Sequence, residues 1–420
     1  MILPQIPRSM ITKVKYDYMS LIYNALSNKA FSKMKQPRKK FIAITLWLFA
    51  SIKCRINFLQ LGRFSSFCEQ YFRIGFQKEF DFLTFNKVLL EKRLSSILAI
   101  VLDPSYISKF GKWTHGVGSY WSGCAGKAKW GLEICGFAVV DVLSNTAYHL
   151  KAFQSPSLKE LKAIDSDLLS HYGKLVVENA KHWKEYSQYV LADAYFSKKP
   201  FVEQVLIVGM HLISRLRDDA DLKYIYTGAQ KGGKGRPKQY DGKVKIKEPN
   251  MKYFTLEESD EYHQTLSALV YSKALKMKIR VALVIFFNKE GQAVSRKLYF
   301  STDNNLTASM VFKYYRSRFQ IEFIYRDAKQ HTGLSNCLGR SKEKLDFHFN
   351  AALTAVNLAK ISNRKEKENQ KEPFSMADCK NMYNNALLLE RFIDKFGINP
   401  NTRKNQKIIA DLLNFGKIAA

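Results

Sequence analysis

The sequence predicts an α/β chain: a mixed sheet flanked by helices, interrupted by a β-rich insertion and set between helical N- and C-terminal regions. Three observations carry this. Apolar residues recur at helical spacing through residues 1 to about 95. From about 96 the period changes to the alternation of strands, with helical stretches between them. Strand-like runs then resume within 218–300, and helical spacing returns at 307.

The first helical region holds YDYMSLIYNALSNKAFSKM and FIAITLWLFASIK. Between them NKAFSKMKQPRKK (28–40) carries six basic residues and no acid. Helix–turn–helix DNA recognition and a helical bundle with a basic surface both fit residues 1–95. Residues 96–217 read as a sheet with helices on it. LSSILAIVLD ends on Asp103, WGLEICGFAVVDV and TAYHLKAF alternate, and 158–183 is helical. SQYVLADAYF (187–196) is a strand carrying Asp193, and KPFVEQVLIVGMHLISRLR is a helix and then a strand. Residues 218–300 form the insertion. There AQKGGKGRPKQYDGKVKIK is a mobile loop or hairpin, and strands follow at MKYFTLEE, KIRVALVIFFN and KLYFSTD. One long helix covers 307–331, with Thr307 as N-cap and Gly333 as terminator. A second helix covers 344–362, RKEKENQKE (364–372) is a solvated linker, and 375–396 is a helical hairpin. The unit boundaries are thus 1–95, 96–217, 218–300, 301–345 and 346–420.

With 420 residues, 46% of them hydrophobic, the chain can bury a sizeable core. Its charge points to a partner. Sixty-seven Lys and Arg against 37 Asp and Glu leave a formal charge of +30, and such an excess suits a polyanion, most often nucleic acid. FIAITLWLFASI (41–52) is too short to span a bilayer, and the first residues show no signal pattern. The simplest expectation is a cytoplasmic, nucleoid-associated protein with no membrane partner. The six cysteines lie far apart with no C-x-x-C pair, which argues against a zinc site and a disulfide framework. All six read as reduced packing residues.

Three carboxylates stand out by position. Asp103 and Asp193 end strands that meet at one sheet edge if they are neighbours, and Glu322 lies in the helix after the insertion. Clustered acids repel unless a cation holds them, and hard oxygen ligands suit Mg²⁺ or Mn²⁺. Two such ions roughly 4 Å apart can drive in-line phosphoryl transfer. Each acid also has a bland reading. Asp103-Pro104 can start a turn, Asp193 can cap the next element, and Glu322 can pair with Arg318 or Arg326 four residues away. At about 100° per residue, however, Tyr315, Arg318, Glu322 and Lys329 fall within an arc of roughly 60° on one helix face. Ile321, Ile324 and Ala328 point away from it. An aromatic hydroxyl, a guanidinium, a carboxylate and an ammonium in line suit a phosphate beside a metal.

The spacing Y-x2-R-x3-E-x6-K resembles the Y-R-E-K signature of bacterial insertion-sequence DDE transposases, a cut-and-paste class with a β-rich insertion in an RNase H-like core. VLDPSYISKFGK is similar to that family's first-Asp segment, YVLADAYF to its second, and the insertion falls between second Asp and Glu. The resemblance covers about 95–350, and the N-terminal region more loosely. It implies Asp103, Asp193 and Glu322 as catalytic, metal-binding carboxylates holding two Mg²⁺ or Mn²⁺ ions. It implies Tyr315, Arg318 and Lys329 as contacts to the DNA strand near the scissile phosphate; Arg326 and Arg215 are expected as further DNA contacts by position rather than by the resemblance. Its partners are double-stranded DNA, as inverted-repeat ends and target, and a second copy pairing two ends, for which 375–396 is a candidate interface. Two positions depart from the pattern: Pro104 follows the first Asp, and Ala-Tyr-Phe follows the second where many relatives have Gly.

Other features read less specifically. Lys109, Lys112 and His115 either touch DNA or belong to a solvated loop. Arg215 and Arg217 either contact phosphate or are ordinary surface charge, and GKGRPK (233–238) rides the DNA backbone without reading bases. Trp113, Trp121 and Trp130 read as core or loop packing rather than base-stacking wedges, and His182, His211 and His348 as structural. The functions in play are an active transposase, a non-cleaving DNA-binding protein of transposase descent, and a metal-dependent nuclease that cuts without joining. A membrane-surface protein ranks last, since the basic residues do not line one amphipathic helix.

Overall fold

The structure is a computed structural model that describes residues 10–230, 232, 236–366 and 373–418. Five helices lead the chain: α1 (Met10–Leu26), α2 (Gln36–Ser51), α3 (Phe58–Arg63), α4 (Glu69–Gly75) and α5 (Phe82–Leu90). The first half of the sheet follows as β1 (Leu98–Ser108), β2 (Gly118–Ser122), β3 (Lys127–Asp141) and β4 (Thr146–Gln154). Helices α6 (Leu158–Ala163), α7 (Leu168–Glu178) and α8 (Ala180–Lys184) lead to β5 (Tyr189–Leu191), α9 (Lys199–Ile207) and β6 (His211–Arg215). Six strands make the insertion: β7 (Leu222–Ile225), β8 (Tyr240–Lys243), β9 (Thr255–Ser259), β10 (His263–Ser272), β11 (Met277–Phe287) and β12 (Ala293–Ser301). The chain closes with α10 (Ala308–Ser317), α11 (Gln320–His331), α12 (Lys342–Glu366), α13 (Met376–Phe396) and α14 (Arg403–Asn414).

The core strands lie in the order β4-β3-β1-β5-β6. Strand β1 is antiparallel to β3 and parallel to β5, and β5 is parallel to β6. This is the RNase H-like arrangement: a three-stranded meander followed by two strands parallel to its first. The insertion is continuous with that sheet. Strand β12 pairs with β6, Tyr299 opposite Arg215, and carries the ladder on through β11, β10, β7 and β8.

Strand β4 would be an exposed edge, but α12 covers it. Asn350 and Asn357, two turns apart on α12, each take both halves of a β4 peptide pair. Asn350 accepts from the Ala152 N–H and donates to the Ala152 carbonyl, and Asn357 does the same at His149. Helix α12 is buried on all sides through its middle because α1, α2 and α13 cover its far face. The N- and C-terminal helices are therefore packed together against the sheet.

Several expectations need correction. The stretch 307–331 is two helices separated by a turn at Arg318–Phe319; Thr307 does cap the first, and Gly333, at φ 71°, follows the end of the second. Residues 376–396 form one helix, and the hairpin is the one α13 makes with α14. Strand β1 does not stop at Asp103 but runs to Ser108. Pro104 fits inside it because the parallel pairing to β5 ends at Val101 opposite Leu191, so no ladder bond is lost on that side. Strand β5 is only three residues long, and β2 and β10 were not foreseen. Cys135, Cys337 and Cys379 are buried, but Cys54, Cys68 and Cys124 are exposed and not packing residues. His348 is structural, donating from Nε2 to the Gly333 carbonyl at 2.8 Å. No described helix is long and apolar enough to cross a membrane. Gly233, Lys234 and Gly235 of GKGRPK, and 367–372 of the linker, lie outside the described residues.

Helix α2 ends inside the protein, and its orphan carbonyls find partners on α13. Lys380 donates to the Phe49 carbonyl at 2.9 Å, and Asn384 to the Ser51 carbonyl at 3.0 Å. Burial drives the Lys380 pKa down to about 7, and that of Lys360, bonded to the Ala147 carbonyl, to about 8. The unfolded chain binds these protons up to about pH 10.5 while the folded chain has released them, so stability rises with pH between those limits. Urea unfolding at pH 7 and pH 9 measures this. Lys380→Met is expected to reduce the rise by on the order of 1 kcal/mol per pH unit; an unchanged pH slope would show Lys380 charged in the fold.

Candidate active site

Strand β1 is central, and Asp103 stands on it opposite Gly136 of β3, two residues past the end of its pairing with β5. Asp193 lies two residues beyond β5, the strand parallel to β1. Its Oδ1 accepts the Tyr195 N–H at 2.9 Å and caps a 3-10 turn at 194–196, while Ser214 of β6 donates to its carbonyl at 2.8 Å. Glu322 sits in the first turn of α11. The two aspartates thus stand two residues past the last parallel-paired residues of β1 and β5, Val101 and Leu191, and α11 packs against β1 beside them.

Arg318 joins the set. It occupies the turn between α10 and α11, where Arg318 and Phe319 keep right-handed helical dihedrals and its i+4 pair with Glu322 survives. Its Nη2 donates to Glu322 Oε1 at 2.7 Å, and its Nη1 stands 3.6 Å from Asp103 Oδ1. The guanidinium lies 5.8 Å from the centre of the Tyr315 ring. Lys329, two turns further along α11, donates to Ser105 Oγ at 2.9 Å, two residues beyond Asp103 on the same strand.

The electrostatics tie these groups together. Burial pushes the Asp103 carboxyl up to about 7; Arg318 opposes this, Asp193 and Glu322 add to it, and Lys329 opposes it. For Arg318, burial works against the charge, but Asp103, Tyr315 and Glu322 more than offset it, and its pKa is raised. Burial raises the Tyr315 hydroxyl and lowers Lys329. Tyr315 also feels Asp193 and Arg215, which places the β6 arginine beside the cluster. Among the described residues Arg318 Nε and Arg215 Nε are buried with no hydrogen-bond partner, two donors in want of an acceptor.

The acids form a coupled set without forming a closed cage. Among the described residues no three His, Cys, Asp or Glu side chains are close enough to hold one metal ion. Asp103 and Glu322 meet through the Arg318 guanidinium. The donor set is nonetheless the hard-oxygen kind that Mg²⁺ and Mn²⁺ take. A divalent cation would relieve the repulsion that, with burial, holds Asp103 near neutrality.

The bland readings are partly realised too: Asp193 caps a turn and Glu322 pairs with Arg318. The Asp103-Pro104 turn is not formed. Arg326 is not brought to the cluster; it pairs with Asp327 at 3.0 Å and lies over the Phe323 ring. Arg217 pairs with Asp219 on the surface. Lys109 ties its loop down by donating to the carbonyls of Cys337 and Gly339.

One residue at the centre escaped sequence reasoning. The Tyr325 hydroxyl inserts between β1 and β3, donating to the Asp103 carbonyl at 2.6 Å and accepting from the Gly136 N–H at 2.9 Å. It therefore fixes α11, and Glu322 with it, at the height of Asp103. Gly136 leaves the room for this: a Cβ there would meet the hydroxyl at 2.2 Å. Three positions after Glu322, Tyr325 falls near the same helix face, and that was the one available signal.

The fold and cluster together define an RNase H-like α/β core with coupled carboxylates just past the parallel pairing of β1 and β5. Residues 168–358, somewhat under half of the chain, match a family model described as "Transposase DDE domain". The match includes Asp193 and Glu322, and Asp103 lies before it. Among solved structures the chain is similar to piggyBac transposase in a synaptic complex with hairpin DNA. That likeness has 10% identity and a TM-score of 0.39, and it covers 97% of this chain and 84% of that one. A search of curated protein sequences gives no match.

Proposed function

We propose that the chain is a DNA transposase of the DDE kind that binds inverted repeats at the ends of its element, cuts them, and joins them to target DNA. The observation that carries this reading is the pairing of Asp103 and Glu322 through the buried guanidinium of Arg318, with Asp193, beyond the adjacent parallel strand, near enough to raise the Asp103 carboxyl. The match of 168–358 to a transposase DDE domain supports it, as does a net charge of +30.

Asp103, Asp193 and Glu322 would hold Mg²⁺ or Mn²⁺, which activates the attacking water or 3′-hydroxyl and stabilises the leaving oxygen when bound. The chain's own groups do the rest. Arg318 Nε and Arg215 Nε are the unpaired donors for the scissile strand's phosphates, and Tyr315 and Lys329 flank them. Asp103, whose carboxyl burial raises to about 7, would have to bind a cation as the carboxylate. Pairing two ends requires two copies. On α13 the exposed Leu388, Phe392 and Phe396 form a stripe at i, i+4 and i+8 that supports a homodimer contact.

The test is incubation of the purified protein with DNA ending in the inverted repeats that flank the gene, with Mg²⁺ or with EDTA. Cleavage at the repeat boundary only with metal, followed by joined products, is the expected result. Cutting without joining would leave a nuclease, and binding without cutting a DNA-binding relic.

A further inference from the structure

The hairpin that follows Asp103 carries aromatic surface that the sequence reading had assigned to packing. Trp113, Trp121 and Trp130 are 83%, 63% and 52% exposed, and Phe110 is 82% exposed. Among the described residues none of the four meets another aromatic ring or lies under a cation. Large apolar rings left open this way mark a surface for a partner.

Their placement is fixed by the register. Ser119 of β2 is opposite Trp130 of β3, and Trp121 is opposite Ala128. Trp121 and Trp130 are therefore diagonal neighbours on one face of the ribbon. On β3, positions 130 and 136 share a face by alternation, and Gly136 is the partner of Asp103. The indoles thus lie on the Asp103 side of the sheet, six residues along β3, or about 20 Å. That distance is about six base steps of stacked DNA.

The loop bearing Phe110 and Trp113 is anchored. Lys109 holds the carbonyls of Cys337 and Gly339, the His115 N–H donates to the Arg340 carbonyl, and Gln154 donates to the His115 carbonyl. The Tyr120 hydroxyl closes the base of the loop on the Gly116 and Ser155 carbonyls. Charge selects the occupant. Between Asp103 and Glu133 there are four lysines and one histidine and no acid. Lys127 and Lys129 fall on the other face of β3 from Trp130, and Lys109 is held by carbonyls, so Lys112 is the lysine beside the rings; with no acid in the segment, that surface suits bases and their phosphates.

We infer that Trp121 and Trp130, with Phe110 and Trp113 exposed on the adjoining loop, form a stacking platform for unpaired bases of the bound DNA, Trp130 standing about six steps along β3 from the position opposite Asp103. This rests on the reading of the chain as a DNA transposase and adds to it a site for single-stranded or frayed DNA at the ends being processed. Stacking reads no sequence, because every base has a π-face.

The experiment compares a short blunt duplex with the same duplex bearing a tail of about ten thymidines, within the span that such surfaces hold. Affinity is measured by fluorescence anisotropy and intrinsic tryptophan emission on the full chain. The tail is expected to tighten binding by about tenfold or more and to quench emission. The triple variant Trp113→Ala, Trp121→Ala, Trp130→Ala should lose that gain, keep its duplex affinity, and regain part of it when the three are Phe instead. All three positions are exposed, so the variant is expected to fold, which its circular dichroism checks. Equal affinity for both probes, or a tail gain that survives in the triple variant, overturns the platform alone. Failure of the wild-type chain to bind either probe overturns the platform and the transposase reading together. A change of sedimentation without change in DNA binding would assign the rings to a protein contact and overturn it too.

Discussion

Glu322→Gln is expected to reduce metal-dependent strand cleavage by on the order of 10³-fold while leaving the chain folded, because a neutral amide cannot replace a carboxylate as a hard cation ligand. That is the loss of several kcal/mol of transition-state stabilisation, at about 1.4 kcal/mol per tenfold. The substitution removes only one partner of Arg318, which keeps Asp103 at 3.6 Å. The ion pair to Glu322 is partly open to solvent, so the stability change should stay within about 1 kcal/mol. Single-turnover cleavage of a labelled repeat end, with thermal unfolding of the same preparation, checks both halves. A variant that cleaves within about tenfold of wild type would remove Glu322 from the catalytic set.

Gly136→Ala is expected to have the next largest effect, although residue 136 touches no DNA in the proposed scheme. The new Cβ would stand 2.2 Å from the Tyr325 oxygen and 3.1 Å from its ring carbon. Tyr325 is buried, so α11 itself must give way. Overpacking of this kind costs about 1–3 kcal/mol, and the hydroxyl's bonds to Asp103 and Gly136 are strained with it. The same shift would move Glu322 away from Asp103, so cleavage should fall by more than the stability loss explains. Tyr325→Phe separates the two contributions. It removes the bridge without the clash, and it should cost about 1–3 kcal/mol for the β1 carbonyl and β3 N–H left unpaired. Urea unfolding and cleavage on both variants give the answer; wild-type stability in Gly136→Ala would show that α11 is not held through Tyr325.

How much of this was legible in the sequence depended on the residue. The helical spacing of 307–331 reports burial, whereas WGLEICGFAVVDV and TAYHLKAF are strands buried on both faces over most of their length, legible by their apolar and β-branched content more than by alternation. Thr307 and Gly333 punctuate the helices by local chemistry alone. Strand β2 was hidden because GVGSYWS opens on two glycines and reads as a turn; it is a strand only because β3 extends far enough to pair with it. Strand β5 is three residues long, so the flanking residues that looked strand-like are claimed by the Asp193 cap. The spacing of Tyr315, Arg318, Glu322 and Lys329 was legible across the break at Arg318 because the turn keeps right-handed helical dihedrals. The bridge of Tyr325 to Gly136 joins positions 189 residues apart, and no local pattern carries it. The three tryptophans failed in the opposite direction: hydropathy assigns indoles to the interior, and only the open end of a hairpin puts them outside.

The central claim is that Asp103, Asp193 and Glu322 make one cation site. Electron paramagnetic resonance of Mn²⁺ bound to the protein with a repeat end measures this directly, without depending on turnover. The wild-type chain is expected to bind Mn²⁺ saturably, and Asp103→Asn, Asp193→Asn and Glu322→Gln each to weaken that binding by about tenfold or more. If the three variants bound Mn²⁺ as the wild-type chain does, the carboxylates would be a structural cluster held by Arg318, and the catalytic assignment would be wrong.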